Sequence, residues 1–258
     1  MPPRKATRHR LLFFDLETAP LTAYIWGPKV EYVNHEQIID DSFVLTWAAK
    51  WENSRKVMSG QVTPREAKNR NDRRIVGELT GLLREADMVV AHNADRFDIP
   101  VFNARLLAMK MPPTGPIQTI DTLKLARKNF RHASNRLDYL GKLLLREQKL
   151  KTDFSLWKGV LAGDEAAIRR MVRYNKKDVT LLERVLVEMR PYLTGLPRVY
   201  EASKSGEMVC TSCGGDRFIK RGFHRTKAST FQRWECKGCH QVVRERRSMA
   251  DKLGVVPL

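Results

Sequence analysis

All four cysteines of this chain fall between positions 210 and 239, as Cys210-Thr211-Ser212-Cys213 and Cys236-Lys237-Gly238-Cys239. The two Cys-x-x-Cys knuckles are separated by 22 residues. Two such turns present four thiolates with the spacing of a tetrahedral zinc site. A module of about 40 residues buries too little apolar surface to fold without a staple. Disulfides are the ordinary alternative. Against them, the basic start of the chain leads into a short strand rather than a secretory signal core, so nothing points to an oxidising compartment. A redox role is weaker still, because there are two knuckles and neither opens a helix in a strand–helix–strand unit. His224 and His240 become ligands only if a thiolate is displaced. The expected set is Cys210, Cys213, Cys236 and Cys239 around one structural Zn²⁺.

This constraint divides the chain. Its 258 residues admit one domain of enzyme size beside a small module. We expect a basic arm over residues 1–10, a main domain over 11–195, a linker at 196–207, the cysteine module at 208–248 and a tail from 249. A hydrophobic content of 42% suffices for a core and excludes a disordered polycation. The formal charge of +18 and pI of about 10.0 favour a polyanionic partner. Apolar runs such as Met88–Ala91 are far too short for a bilayer, so no membrane partner and a cytosolic or nucleoid location are expected.

Within 11–195 the pattern alternates. Leu11–Asp15, Phe43–Trp51, Arg55–Gln61, Met88–Ala91 and Ile117–Asp121 read as strands. Helical spacing is found over Arg73–Ala86, Asp98–Lys110, Asp121–Asn129, Arg136–Leu145 and Asp164–Arg190, with a looser stretch before the last. Three early strands followed by strand–helix alternation give an α/β fold, a mixed sheet flanked by helices. Asp15 and Glu17 are two apart at the end of an apolar strand, so both carboxylates leave one face. Tyr174 and Asp178 are four apart and stack on one helix face. Hard carboxylate oxygens select Mg²⁺ or Mn²⁺ over zinc, and two such ions can clamp a phosphodiester.

Phe14-Asp15-Leu16-Glu17-Thr18, His92-Asn93-Ala94-Asp95-Arg96-Phe97-Asp98 and Tyr174-Asn175-Lys176-Lys177-Asp178 together, in this order, resemble the three motifs of the DEDD superfamily of 3′–5′ exonucleases. The likeness covers residues 10–195. The second motif is most similar to that of family B DNA polymerases. Arg173 stands where the histidine branch would place histidine, so the chain resembles the tyrosine branch. The resemblance implies an RNase H-like fold and 3′–5′ cleavage to nucleoside 5′-monophosphates. It further implies two Mg²⁺ or Mn²⁺ held by Asp15, Glu17, Asp98 and Asp178. Asp15 would lie between the ions, Glu17 and Asp178 on the one beside the attacking water, and Asp98 would serve the other, chiefly through its second shell. A phenol, with a pKa near 10, is a poor base at neutral pH, so Tyr174 is read as orienting the nucleophile by hydrogen bonding. Asn93 and Phe97 would help hold the terminal nucleotide, Phe97 by stacking.

Taken singly, each signal has an ordinary reading. Asp15 and Glu17 suit an exposed strand end, Asp98 a helix cap, and Tyr174 with Asp178 a solvated helix face. Asp95 is not a ligand in the family pattern, Asp121 is expected to be a helix cap or structural carboxylate, and His92 to pack behind the site. Trp26 and the Tyr24–Tyr32 stretch are expected as a loop packed on the core rather than a substrate groove. Strand-like Arg217–Gly222 and Thr230–Glu235 between the knuckles suggest a zinc ribbon, similar to those of insertion-sequence proteins through Lys220-Arg221-Gly222 and Gln232-Arg233-Trp234. From Met208 to Arg247 there are ten Lys/Arg against three Asp/Glu, interleaved with Phe218, Phe223, Phe231 and Trp234. Basic groups take phosphates and aromatics stack bases, which suits single strands or frayed ends; Phe218 and Trp234 are expected in the ribbon core. DNA is preferred to RNA on the second motif alone, and a monomer is the default. The other readings are a non-catalytic nucleic-acid-binding scaffold and an endonuclease or recombinase. A nucleotide-driven motor has no phosphate-binding lysine loop to support it.

Overall fold

The computed structural model of the chain describes residues 6–147, 152–202 and 207–249. Residues 1–5 of the expected arm, 203–206 of the expected linker and 250–258 of the tail lie outside them. In chain order the strands are β1 (Ala6–Arg8), β2 (Leu11–Thr18), β3 (Thr22–Ala23), β4 (Ile38–Asp40), β5 (Val44–Trp51), β6 (Met58–Gln61), β7 (Met88–Ala91), β8 (Thr119–Asp121), β9 (Tyr200–Ala202), β10 (Phe218–Arg225), β11 (Thr230–Cys236) and β12 (Val242–Arg244). The helices are α1 (Pro64–Lys68), α2 (Arg73–Glu85), α3 (Asp98–Ala108), α4 (Thr122–Asn129), α5 (Leu137–Leu145), α6 (Phe154–Leu161) and α7 (Glu165–Met189). Among the described residues no helix is long and apolar enough to cross a membrane. Two compact units result. One is built on Arg10–Lys124 and His132–Val185, the other on the described residues of Met1–His9, Leu125–Arg131 and Leu186–Leu258.

The first unit centres on a five-stranded sheet of order β6-β5-β2-β7-β8. The β6–β5 and β5–β2 pairs are antiparallel, while β2–β7 and β7–β8 are parallel. This is the mixed sheet with helices expected from the alternation. Leu11, Leu12, Phe13 and Phe14 are all buried because β2 is a central strand covered on both faces. Its even face, Leu12, Phe14 and Leu16, joins a core with Ile75, Leu79 and Leu83 of α2 and with Phe102 and Leu106 of α3. A paired charge locks this scaffold. Asp72 takes two 2.8 Å hydrogen bonds from the Arg105 guanidinium and one from the Val44 N–H.

Several elements of this unit differ from the expectation, α1 and the β3–β4 pair among them. The stretch before α7 contains α6, opened by Asp153, whose carboxylate accepts the Ser155 N–H at 2.8 Å. The Tyr24–Tyr32 segment is not packed on the core. Tyr24, Ile25, Trp26 and Tyr32 are exposed, Trp26 completely at 102%. Its short β3–β4 pairing holds the ends of the loop and leaves the middle in solvent.

In the second unit β10, β11 and β12 form an antiparallel sheet, and β1 pairs antiparallel with β9, Thr7 opposite Glu201. β12 and both strands of the β1–β9 pair were not foreseen.

Candidate active site and cysteine cluster

Alternation along β2 carries the first two carboxylates. Asp15 lies opposite Ala48 and Glu17 opposite Thr46 on β5, and the register slips immediately after Glu17. Such irregularities re-aim side chains at strand ends. The odd face of β2 meets α7. Asp15, Glu17 and Asp178 each offer an oxygen, all within 4.8 Å of one another. Tyr174 is 9% exposed on the same helix. Three carboxylates this close repel one another strongly unless a cation lies among them. The donors are hard oxygens, so the set fits Mg²⁺ or Mn²⁺.

Asp98 stands apart from this trio. It opens α3, is buried, and accepts the backbone N–H of Leu16, the residue between Asp15 and Glu17, at 3.3 Å. Burial pushes its carboxyl up to about 7; the charge of Asp121 acts in the same direction and the Leu16 N–H holds it back. Asn93 adopts a left-handed φ of 81°, and Phe97 is 38% exposed at the entrance of α3. The turn between them is gripped by Asp121, whose carboxylate accepts the N–H groups of Asn93, Asp95, Leu123 and Lys124 at 3.0–3.2 Å. Asp121 is thus a helix cap and a brace, the part expected of it. Asp95 is spent on Thr119 and Lys124, and the Nδ1 of His92 pairs with the Thr122 hydroxyl at 2.9 Å.

Sequence reasoning missed three contributors. Asn175, fully buried, donates to the Asp15 carboxylate at 2.6 Å and accepts from the buried Thr46 hydroxyl at 3.3 Å. Phe154 and Trp157 of α6, with Thr18, Ala19 and Pro20, line a cavity of about 400 Å³ beginning one residue after Glu17. The Trp157 indole N–H donates to the Thr18 carbonyl at 3.1 Å, while the Phe154 ring is 58% exposed with the Lys158 ammonium 5.8 Å from its centre. The only signal for the pair was two aromatics in a stretch read as loose.

The cysteine cluster is built otherwise. The four sulfurs lie within 4.8 Å of one another, with Cys210–Cys239 and Cys213–Cys236 each at 3.6 Å. A disulfide would bring them to about 2.05 Å. A tetrahedron with Zn–S bonds of about 2.3 Å has edges of about 3.8 Å, so the spacing fits zinc. The Gly238 N–H donates to the Cys236 sulfur at 3.3 Å. Hydrogen bonds from Cys213 and Cys239 hold the Cys210 thiol far below its ordinary range, and the same sharing raises Cys213 and Cys239. His240 turns to Glu235 at 3.0 Å instead. On the sheet three of the aromatics carry a cation. Arg244 lies 4.0 Å from the centre of Phe231, Arg225 5.5 Å from Phe223 and Lys220 5.7 Å from Trp234. Trp234, half-buried, donates its indole N–H to Glu245 at 2.8 Å, and Phe218 is half-buried too.

Residues 12–190 match the sequence model of the RNase H superfamily. Among solved structures the chain is similar to the family B DNA polymerase of the hyperthermophilic archaeon Pyrobaculum calidifontis. The TM-score is 0.50 at 17% identity, over 72% of this chain and 25% of the polymerase, so the chain spans about a quarter of that protein. The likeness is one of fold. No curated protein matches the chain in sequence.

Proposed function

Because the chain belongs to the RNase H superfamily, we propose that it is a metal-dependent 3′–5′ exonuclease that releases nucleoside 5′-monophosphates, from DNA in preference to RNA. The observation that carries this reading is the meeting of Asp15, Glu17 and Asp178 within 4.8 Å, with Tyr174 one helical turn before Asp178. Asp15, Glu17 and Asp178 would hold divalent cations directly, and Asp98 acts through the Leu16 backbone that separates two of them. Bound Mg²⁺ or Mn²⁺ supplies charge stabilisation at the phosphate and lowers the pKa of the attacking water. The Tyr174 phenol orients that water by hydrogen bonding. The cavity bounded by Phe154 and Trp157 gives the terminal base an apolar wall, as Phe97 does from α3.

The cysteine-held ribbon, with one structural zinc, retains the nucleic acid. Its charge excess supports phosphate contact, and the exposed run from Arg221 to Ala228 leaves that charge in solvent. Tethering of this kind raises the local concentration of substrate ends.

The test is a 5′-labelled single strand incubated with the protein and Mn²⁺ or Mg²⁺. A ladder shortening from the 3′ end, lost in Asp15→Ala, is the expected outcome. Intact DNA, RNA and duplex that are nonetheless bound tightly would turn the reading to a non-catalytic binding protein. Internal cuts would turn it to an endonuclease.

A further inference from the structure

Asn175 lies between Tyr174 and Asp178 in the chain, yet its side chain serves neither. It is fully buried, with a relative exposure of 0%. Its Nδ2 donates to the Asp15 backbone carbonyl at 3.2 Å and to the Asp15 Oδ2 at 2.6 Å. Its Oδ1 accepts from the Thr46 hydroxyl at 3.3 Å. Thr46 is itself buried and sits directly across from Glu17 in the β2–β5 pair. One amide therefore connects α7, β2 and β5 at the level of the carboxylate trio.

We propose that Asn175, seated by Thr46, is a positioning residue that fixes the rotation of the Asp15 carboxylate and the seating of α7 against β2, so that Asp15, Glu17 and Asp178 form a cation site. This rests on the reading of that trio as a divalent-cation site. The chemistry selects an amide. A donor faces the carboxylate and an acceptor faces the hydroxyl, and the Asn amide offers both on one short planar group. Aspartate in this place would add a fourth carboxylate against Asp15. Leucine would strand the buried Thr46 hydroxyl in the interior, where an unmet hydrogen bond is costly. Residues three apart on a helix share a face, so the contact of Asn175 with β2 also aims Asp178 at the same strand. A ligand carboxylate held by a neighbouring donor keeps less of its rotational freedom, which is how outer contacts tune metal affinity.

The measurement is Mn²⁺ binding to the full, zinc-loaded chain by isothermal titration calorimetry, with Asp15→Ala as baseline and near-ultraviolet circular dichroism as the check on folding. Asn175→Ala is expected to stay folded and to bind Mn²⁺ about 10–100-fold more weakly. Asn175→Asp is expected to lose at least as much. Where cleavage is observed, saturating Mn²⁺ should restore most of it in Asn175→Ala, which a general structural defect would not allow. If Asn175→Ala fails to fold, Thr46→Val decides. Weaker Mn²⁺ binding in that variant supports the proposal, and unchanged binding overturns it. A folded Asn175→Ala with wild-type Mn²⁺ affinity overturns it as well. A wild-type chain that binds no Mn²⁺ above the Asp15→Ala baseline overturns it together with the cation reading. A chain that binds Mn²⁺ through Asn175 but degrades no nucleic acid overturns the exonuclease and leaves this inference standing.

Discussion

The two candidate metal centres of this chain are assembled in opposite ways. The cysteine ligands come from two tight knuckles 22 residues apart in one small module, each pair set by its own turn, such as the Gly238 N–H on the Cys236 sulfur. The carboxylate trio draws on residues as far apart in sequence as Asp15 and Asp178, brought together by a sheet and a helix that fold for their own reasons. A zinc held by the first would be part of the fold. In the second the fold comes first and sets three carboxylates together, a crowding that a cation would relieve. Removing metal should therefore unfold one region and, if anything, leave the other strained but intact.

The largest effect tests the local centre. Structural zinc in small modules is worth an apparent 10–16 kcal/mol or so, so chelation or Cys213→Ser should abolish hydrogen-exchange protection across β10 to β12. Protection that survives chelation would break the contrast at its root. The distributed centre should instead fail through its scaffold. Arg105→Ala leaves the Asp72 carboxylate buried beside the Val44 N–H alone, a loss of about 3–5 kcal/mol in urea unfolding. Asp15→Ala should lower cleavage by at least about 10²–10³-fold, as for loss of a key charge-stabilising group. Glu17→Gln, which leaves the Asn175 contact to Asp15 in place, should hold or raise the metal-free thermal midpoint, because one of three crowded charges has gone. A midpoint that falls would mean the trio stabilises the fold. The smallest effect is a pH dependence. Hydrogen bonding from Arg74 holds the Glu66 carboxyl down at about 2 against an ordinary 4.5. The sign follows from that depression: the contribution is complete above about pH 4.5 and is lost as the pH falls toward 2. For so exposed a pair it amounts to about 1 kcal/mol or less. Zinc should leave first on acidification, since protons compete with the metal for its thiolate ligands. Parallel zinc-release and Arg74→Ala unfolding titrations would sharpen the comparison.

What could be read from the chain follows the same division. The cysteine cluster is written locally, and so are the alternation that puts Asp15 and Glu17 on one face of β2 and the four-residue step from Tyr174 to Asp178. Asn175 was invisible because a buried asparagine differs from a solvated one only in what the rest of the fold sets beside it. α6 has just two buried anchors, Leu156 and Val160, too few for a helical period to stand out. The Trp26 loop was expected inside on composition, yet composition cannot say whether another element exists to cover it. β1 and β9 pair across most of the sequence, and neither strand of three residues carries a signal of its own.

That last pairing has a consequence for the order of events during synthesis. Thr7 leaves the ribosome long before Glu201 does, and at about 5–20 residues per second β1 waits roughly ten seconds or more for its partner. Contacts of such high sequence separation close slowly and late. β1 is thus made early and placed late, and a nascent chain halted short of β9 would carry it unpaired.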